Sequence, residues 1–185
     1  MPAGIEQAVR QPLSVPEVPR RRFEERLGIR FPRGLAAFIR GWLSLPRHSR
    51  LRRELLRHTV VLGVAAANRR DYRAAFAVYH PDVELIMPSG LVALGFEPVV
   101  RGHPERVRFE QRWRTEWGDF RYAPDDVYDL GDRVLVVGYM RGSGPSSGAG
   151  FDNEWAVLFD IRAGQVVGEQ VFLDHGEALE AAGLS

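Results

Sequence analysis

The 185-residue chain predicts an α+β fold, an antiparallel sheet with helices packed on one of its faces. Three observations carry this. Apolar residues recur at helical spacing as far as Tyr79. The period changes after Pro81. Four strand-like runs then follow one another, FRYAPDDVYDL, RVLVVGYMRG, NEWAVLFDI and QVVGEQVFLD, separated by glycine-containing turns.

Residues 1–19 hold Pro2, Pro12, Pro16 and Pro19 and little periodic pattern, and read as a disordered or extended leader. Residues 20–50 read as a basic helical arm, with Leu35, Phe38, Ile39, Trp42 and Leu43 on one helical face and Pro46 as its stop. Residues 51–185 read as the main domain. Ser49 is placed to cap a helix from about 50 to 68, whose tract VVLGVAAA is apolar nearly all round and so predicts burial. Asp71 is placed to cap a helix bearing Tyr72, Ala75, Phe76 and Tyr79. VELIMP reads as a short strand, and residues 90–95 as an apolar loop or helical turn. A helix then begins near Pro104, a favourable first residue, and runs to Trp117. Turns are predicted at residues 129–132 and 162–164.

Composition narrows the chemistry. There is no cysteine, which excludes disulfides, thiolate metal sites and cysteine nucleophiles. No apolar run approaches the roughly 20 residues of a membrane span, and we expect a cytoplasmic, bacterial protein. Every basic residue is arginine. The net charge of +1 hides an asymmetry: residues 1–58 carry 13 Arg and 5 Glu, the remainder 12 Arg and 19 acids. The basic arm is expected to lie on the acidic body or on a partner subunit rather than on nucleic acid, for which there is no motif.

Each candidate constellation has a bland counterpart. Asp174, His175 and Glu177 resemble an acid–histidine site, but Asp174 and Glu177 have capping-box spacing and predict a helix start with His175 exposed. RGSGPSSGAG at 141–150 lies between two strands and fits no phosphate-loop spacing, so a hairpin loop is expected. His80, Asp82 and Glu84 would share a strand face, but Pro81 interrupts them, and no metal or other cofactor is expected. Phe109, Trp113 and Trp117 form a stripe that suits a core or a cavity wall. Glu154 is in register with Ala156 and Leu158, with Trp155, Val157, Phe159 and Ile161 on the other face. In a partly buried pocket Glu154 would suit acid/base work, with Tyr139 and Arg141 facing it; an Arg141–Glu154 salt bridge is the plain alternative.

The segments AAANRRDYRAAFAVYHPDVEL, VVRGHPERVRFEQRW, VYDLGDRVLVV and AGQVVGEQVFLDHGEALEAAGL, in this order and spacing, resemble the SnoaL-like branch of the NTF2-like superfamily over about residues 55–185. The resemblance implies an NTF2-like cone, a strongly curved sheet wrapped around helices with an apolar pocket inside, here with an extra N-terminal helical arm. It also implies a homodimer. It does not carry over the catalysts of ketosteroid isomerases, whose Tyr and two Asp positions correspond to Gly63, Met87 and Ala156, nor the acid–base Asp of SnoaL-type cyclases, which corresponds to Val171. The expected function is therefore binding of a small, largely apolar molecule, with Met87, Phe109 and Trp113 as lining. Any catalysis would be proton transfer (isomerisation, cyclisation or dehydration) by Glu154 with Tyr139 or Arg141 as stabiliser. A non-catalytic dimeric interaction module with a basic docking arm is the alternative.

Overall fold

A computed structural model describes residues 8–18, 20–143 and 150–184. Its sheet has seven strands in the order β1-β4-β5-β6-β7-β2-β3 and is curved and open. Strands β4 (Asp119–Asp129), β5 (Arg133–Ser143), β6 (Gly150–Arg162) and β7 (Gln165–Phe172) are the four predicted runs, joined as an antiparallel meander. The β6–β7 turn places Ala163 at φ 52° and Gly164 at φ 80°, the positive pair that a tight two-residue hairpin demands. Strand β2 (Tyr79–Ile86) joins β7 in parallel, where the other pairings among the described residues are antiparallel, and β3 (Val99–Arg101) closes that edge. Tyr79 therefore belongs to a strand, and the helix capped by Asp71 shrinks to the single turn α4 (Tyr72–Ala75).

The opposite edge differs from expectation. Val9–Pro12, within the predicted leader, forms strand β1 on β4, pairing Gln11 with Val127. Proline is tolerated on an edge strand because its missing donor faces no neighbour. Leu13 and Gln11 are buried there.

Two helices, α1 (Phe23–Arg30) and α2 (Pro32–Leu43), occupy the predicted arm and pack on α4, on β7 and on α3 (Arg50–Asn68). Ile39 and Trp42 are the buried face of α2, as its spacing demands. Arg52 fastens this junction. Its Nε and Nη2 donate to Asp129 at 2.7 Å each, Nη2 also to the Gly131 carbonyl at 3.0 Å, and Nη1 to the carbonyls of Leu43 and Leu45. All five guanidinium donors thus find acceptors, which is what a buried arginine requires. Arg10 and Arg21 likewise pair with body acids, Asp126 and Asp71.

The concave face of the sheet meets α3 and α6 (His103–Trp117), with the short α5 (Ser89–Ala93) at one end. Gly102 and Gly118, both at positive φ, bracket α6. The convex face is covered by α7 (His175–Ala182), over Leu135, Val137, Ala156, Leu158 and Phe172. Asp174 accepts from the Glu177 amide at 2.8 Å, and Gly183 takes the left-handed exit conformation, so the cap reads as its sequence predicts.

Candidate functional site

Between the concave face and the helices lies a cavity of about 160 Å³. Alternation along β6 decides what it sees: Trp155, Val157, Phe159 and Ile161 line it. On β5 the lining residues are Val134 and Val136. On α3 they are Leu56, Thr59, Val60, Gly63, Val64 and Ala67, which explains why that helix is apolar nearly all round. Met87, Phe109 and Trp113, the three residues expected as lining, are all in the wall and all buried. Phe109 stacks on Trp113 at 5.8 Å between centroids. Helix α2 contributes Ile39 and Trp42, so residues of the arm form part of the wall.

One stretch of this apolar wall is ionic. Arg106 and Glu110 project from α6, Tyr79 from β2, Glu169 from β7 and Tyr122 from β4. Glu169 accepts from Tyr79 Oη at 2.7 Å and from Arg106 Nε at 2.5 Å. Glu110 accepts from Arg106 Nη1 at 3.2 Å and from Tyr122 Oη at 3.1 Å. Arg114 lies behind it, its Nε 3.3 Å from Glu110 and its Nη1 donating to the Phe120 carbonyl at 2.9 Å. Two arginines balance two carboxylates. Arg106 also sits 4.6 Å over the Phe76 ring.

The electrostatics follow from burial. Desolvation, and then the charge of Glu169, push the Tyr79 hydroxyl well above its ordinary range. Desolvation and Glu110 do the same to Tyr122. Both phenols remain protonated donors. Burial lowers the affinity of Arg106 for its proton, but Glu169 and Glu110 outweigh it and hold the guanidinium charged. Trp42 adds a further polar atom: its indole Nε1 is buried without a hydrogen-bond partner.

The other predicted site residues lie elsewhere. Glu154, Tyr139 and Arg141 are on the opposite face of the sheet and do not line the cavity. Glu154 pairs across β5–β6 with Tyr139 and accepts from the His175 amide at 2.8 Å. Arg141 pairs with Asp152 at 3.2 Å, rather than with Glu154. The physical reason is parity: Glu154 shares its face with Ala156 and Leu158, and α7 covers that face. His175 is half-buried, its Nε2 donating to the Gly138 carbonyl (2.7 Å) and its ring packing edge-on against Tyr139. Of the positions matched to relatives' catalysts, Gly63, Met87 and Val171 line the cavity, whereas Ala156 faces α7. Glu84 pairs with Arg101, and among the described residues no three metal-ligating side chains converge. Within the glycine-rich stretch at 141–150, positions 144–149 lie outside the described residues.

The ionic wall had a legible trace. Arg106, Glu110 and Arg114 recur at i, i+4 and i+8, one row beside the aromatic stripe, so α6 carries charge on its inner face. Glu169 was hidden by a bulge: Asp160 pairs with Gly168 but Ile161 pairs with Val166. That extra residue switches parity and turns Glu169, Val171 and Leu173 inward.

A family model described as a SnoaL-like domain matches residues 60–169. Among solved structures, an NTF2-like protein of unknown function from Burkholderia pseudomallei K96243 is 26% identical, with a TM-score of 0.58 over 66% of this chain and 93% of that one. An NTF2-like protein from Burkholderia thailandensis E264 is 28% identical, with a TM-score of 0.54 over 69% and 94%. TerC, co-crystallised with polyporic acid, shares the fold at 24% identity, with a TM-score of 0.57 over 68% and 96%. A comparison with the curated proteins finds no match.

Proposed function

The chain belongs to the SnoaL-like domain family, and on that premise we propose that its cavity binds one small, largely apolar molecule carrying an oxygen acceptor. The carrying observation is an apolar cavity of about 160 Å³ with an ionic network confined to one stretch of its wall. A dry apolar cavity of roughly 150 Å³ accommodates a benzene-sized guest, so a single ring is the natural occupant. Met87, Phe109 and Trp113 contact the ring. An oxygen of the ligand accepts from Trp42 Nε1, relieving a donor whose isolation costs about 1–3 kcal/mol. TerC, co-crystallised with polyporic acid, supports small-molecule occupancy of this fold.

The same wall suits proton transfer. Glu169 accepts from Tyr79 and from two nitrogens of Arg106 and faces one arginine, where Glu110 lies between two, Arg106 and Arg114; we take Glu169 as the base. Arg106, held charged beside the carboxylates, would stabilise negative charge developing on the ligand oxygen.

Trp42, Trp113 and Trp155 all line the cavity, so their fluorescence reports occupancy. Titration with single-ring cyclic ketones and phenols should give saturable quenching. Gly63→Leu is the control, because a Cβ at Gly63 meets nothing within 4 Å and the added side chain enters the cavity. Quenching that persists unchanged in Gly63→Leu places the ligand elsewhere and refutes the binding reading. Exchange of ketone α-protons in D2O, fast with the native protein and lost in Glu169→Gln, tests the proton-transfer step separately.

A further inference from the structure

The outward side of α1 combines two features that the cavity does not use. Phe23, Leu27 and Phe31 recur at i, i+4 and i+8 and are 75%, 48% and 56% exposed. The opposite side of the helix is the buried one, through Glu25 and Gly28. Beside the apolar row stand Arg26 and Arg30, and these two, with Arg21, Ile29 and Arg73 of α4, line a surface cleft. Arg21 is neutralised by Asp71, which its Nε and Nη2 approach at 2.5 and 2.7 Å. Arg26, Arg30 and Arg73 have no carboxylate partner among the described residues. The acids of α1 are engaged elsewhere: Glu25 is buried on Arg69, and Glu24 lies 3.6 Å from His58. Arg30 lies over the Phe31 ring at 5.5 Å, so the cationic and apolar rows are in contact.

We propose that this face of α1, with Arg73, is a docking surface for an anionic lipid bilayer. Three unpaired guanidiniums match lipid phosphates. The neighbouring row of two phenylalanines and a leucine needs an apolar phase, which a nucleic-acid backbone or a free phosphate does not supply. An anionic membrane meets both demands at once, and the excess of 13 Arg over 5 Glu in residues 1–58 gives long-range attraction of the same sign. The next helix, α2, supplies Ile39 and Trp42 to the cavity, so the docking helix adjoins one that walls the pocket. The proposal does not depend on which molecule the cavity takes.

Cosedimentation of the full chain tests it, with vesicles of phosphatidylcholine alone and of phosphatidylcholine mixed with phosphatidylglycerol. Tight, salt-sensitive binding to the mixed vesicles only is expected. Arg26→Glu/Arg73→Glu should weaken it roughly tenfold or more. Phe23→Ser/Leu27→Ser should weaken it similarly at low salt. All four positions are exposed, so unchanged thermal midpoints are expected for both variants, and the salt titration of the native protein reads the charge contribution without any substitution. Equal binding to both vesicle types overturns the proposal, as does indifference to either double substitution. Displacement by inorganic phosphate with no effect of Phe23→Ser/Leu27→Ser identifies a free-anion site instead, and tighter binding to a duplex oligonucleotide identifies nucleic acid; both contradict it.

Discussion

Arg106→Met removes the cation shared by the two buried carboxylates of the cavity while keeping most of the side-chain volume. The two acids are not left equal. Glu110 retains Arg114 and Tyr122, but Glu169 retains only the Tyr79 hydroxyl. Removing one partner of a buried ion pair typically costs about 3–5 kcal/mol, because the other charge stays desolvated. Loss of the guanidinium from over the Phe76 ring adds roughly 0.5–2 kcal/mol. At about 2–4 °C per kcal/mol for a chain of this length, the midpoint of thermal unfolding should fall by on the order of 10 °C or more. Urea unfolding at neutral pH measures the same loss directly. The double variant Arg106→Met/Glu169→Gln removes the orphaned charge and should recover about 2 kcal/mol or more of it. A single variant that loses less than about 1 kcal/mol, or a double variant no more stable than the single, would show that the network is solvated and would refute the burial argument.

Three further outcomes follow from the same geometry. Tyr79 and Tyr122 have folded-state values raised above their ordinary 10.0, so the stability they contribute is full below about pH 10 and lost as pH rises toward the folded values; their phenolate absorbance should appear only as the protein unfolds in alkali, and Tyr79→Phe/Tyr122→Phe should flatten that pH dependence. Gly164→Ala sets a Cβ at positive φ and about 2.0 Å from the Ala36 carbonyl oxygen, so it should push α2 off the cavity, lower stability by at least ~1 kcal/mol, and speed ligand release in stopped-flow fluorescence. Asp174→Ala should cost about 1 kcal/mol of stability as a lost helix cap, and Glu154→Gln should leave ligand affinity unchanged, because neither residue lines the cavity.

The sheet was legible because its four long strands announce themselves by apolar runs between glycine turns, and the helix boundaries because Pro104, Asp71 and Asp174 sit where caps and first turns need them. Edge strand β1 was not legible: four residues containing a proline carry no periodic signal, and only pairing to β4 gives them structure. Phe109 and Trp113 could be placed in the wall from helical spacing, and Met87 from the family position it matches, given the cone that the resemblance implied. Glu154 looked attractive because a charged residue on a two-sided apolar strand suggests a pocket, yet parity alone does not say which face is concave. The β7 bulge at Val167 defeats parity altogether, since pairing with β6 decides which way Glu169 turns. Arg106 and Glu110 are legible as a row on α6 only once the inner face of that helix is known to be shared by a cavity.

The cavity's capacity to take one small oxygen-bearing ring is tested most directly by anomalous diffraction from crystals of the full chain grown with 4-bromophenol. The expected result is a single bromine peak inside the cavity among Met87, Phe109 and Trp113, with the phenol oxygen at Trp42 Nε1 and no such peak in Gly63→Leu. Bromine only on the outer surface, or a peak undiminished in Gly63→Leu, would contradict the account.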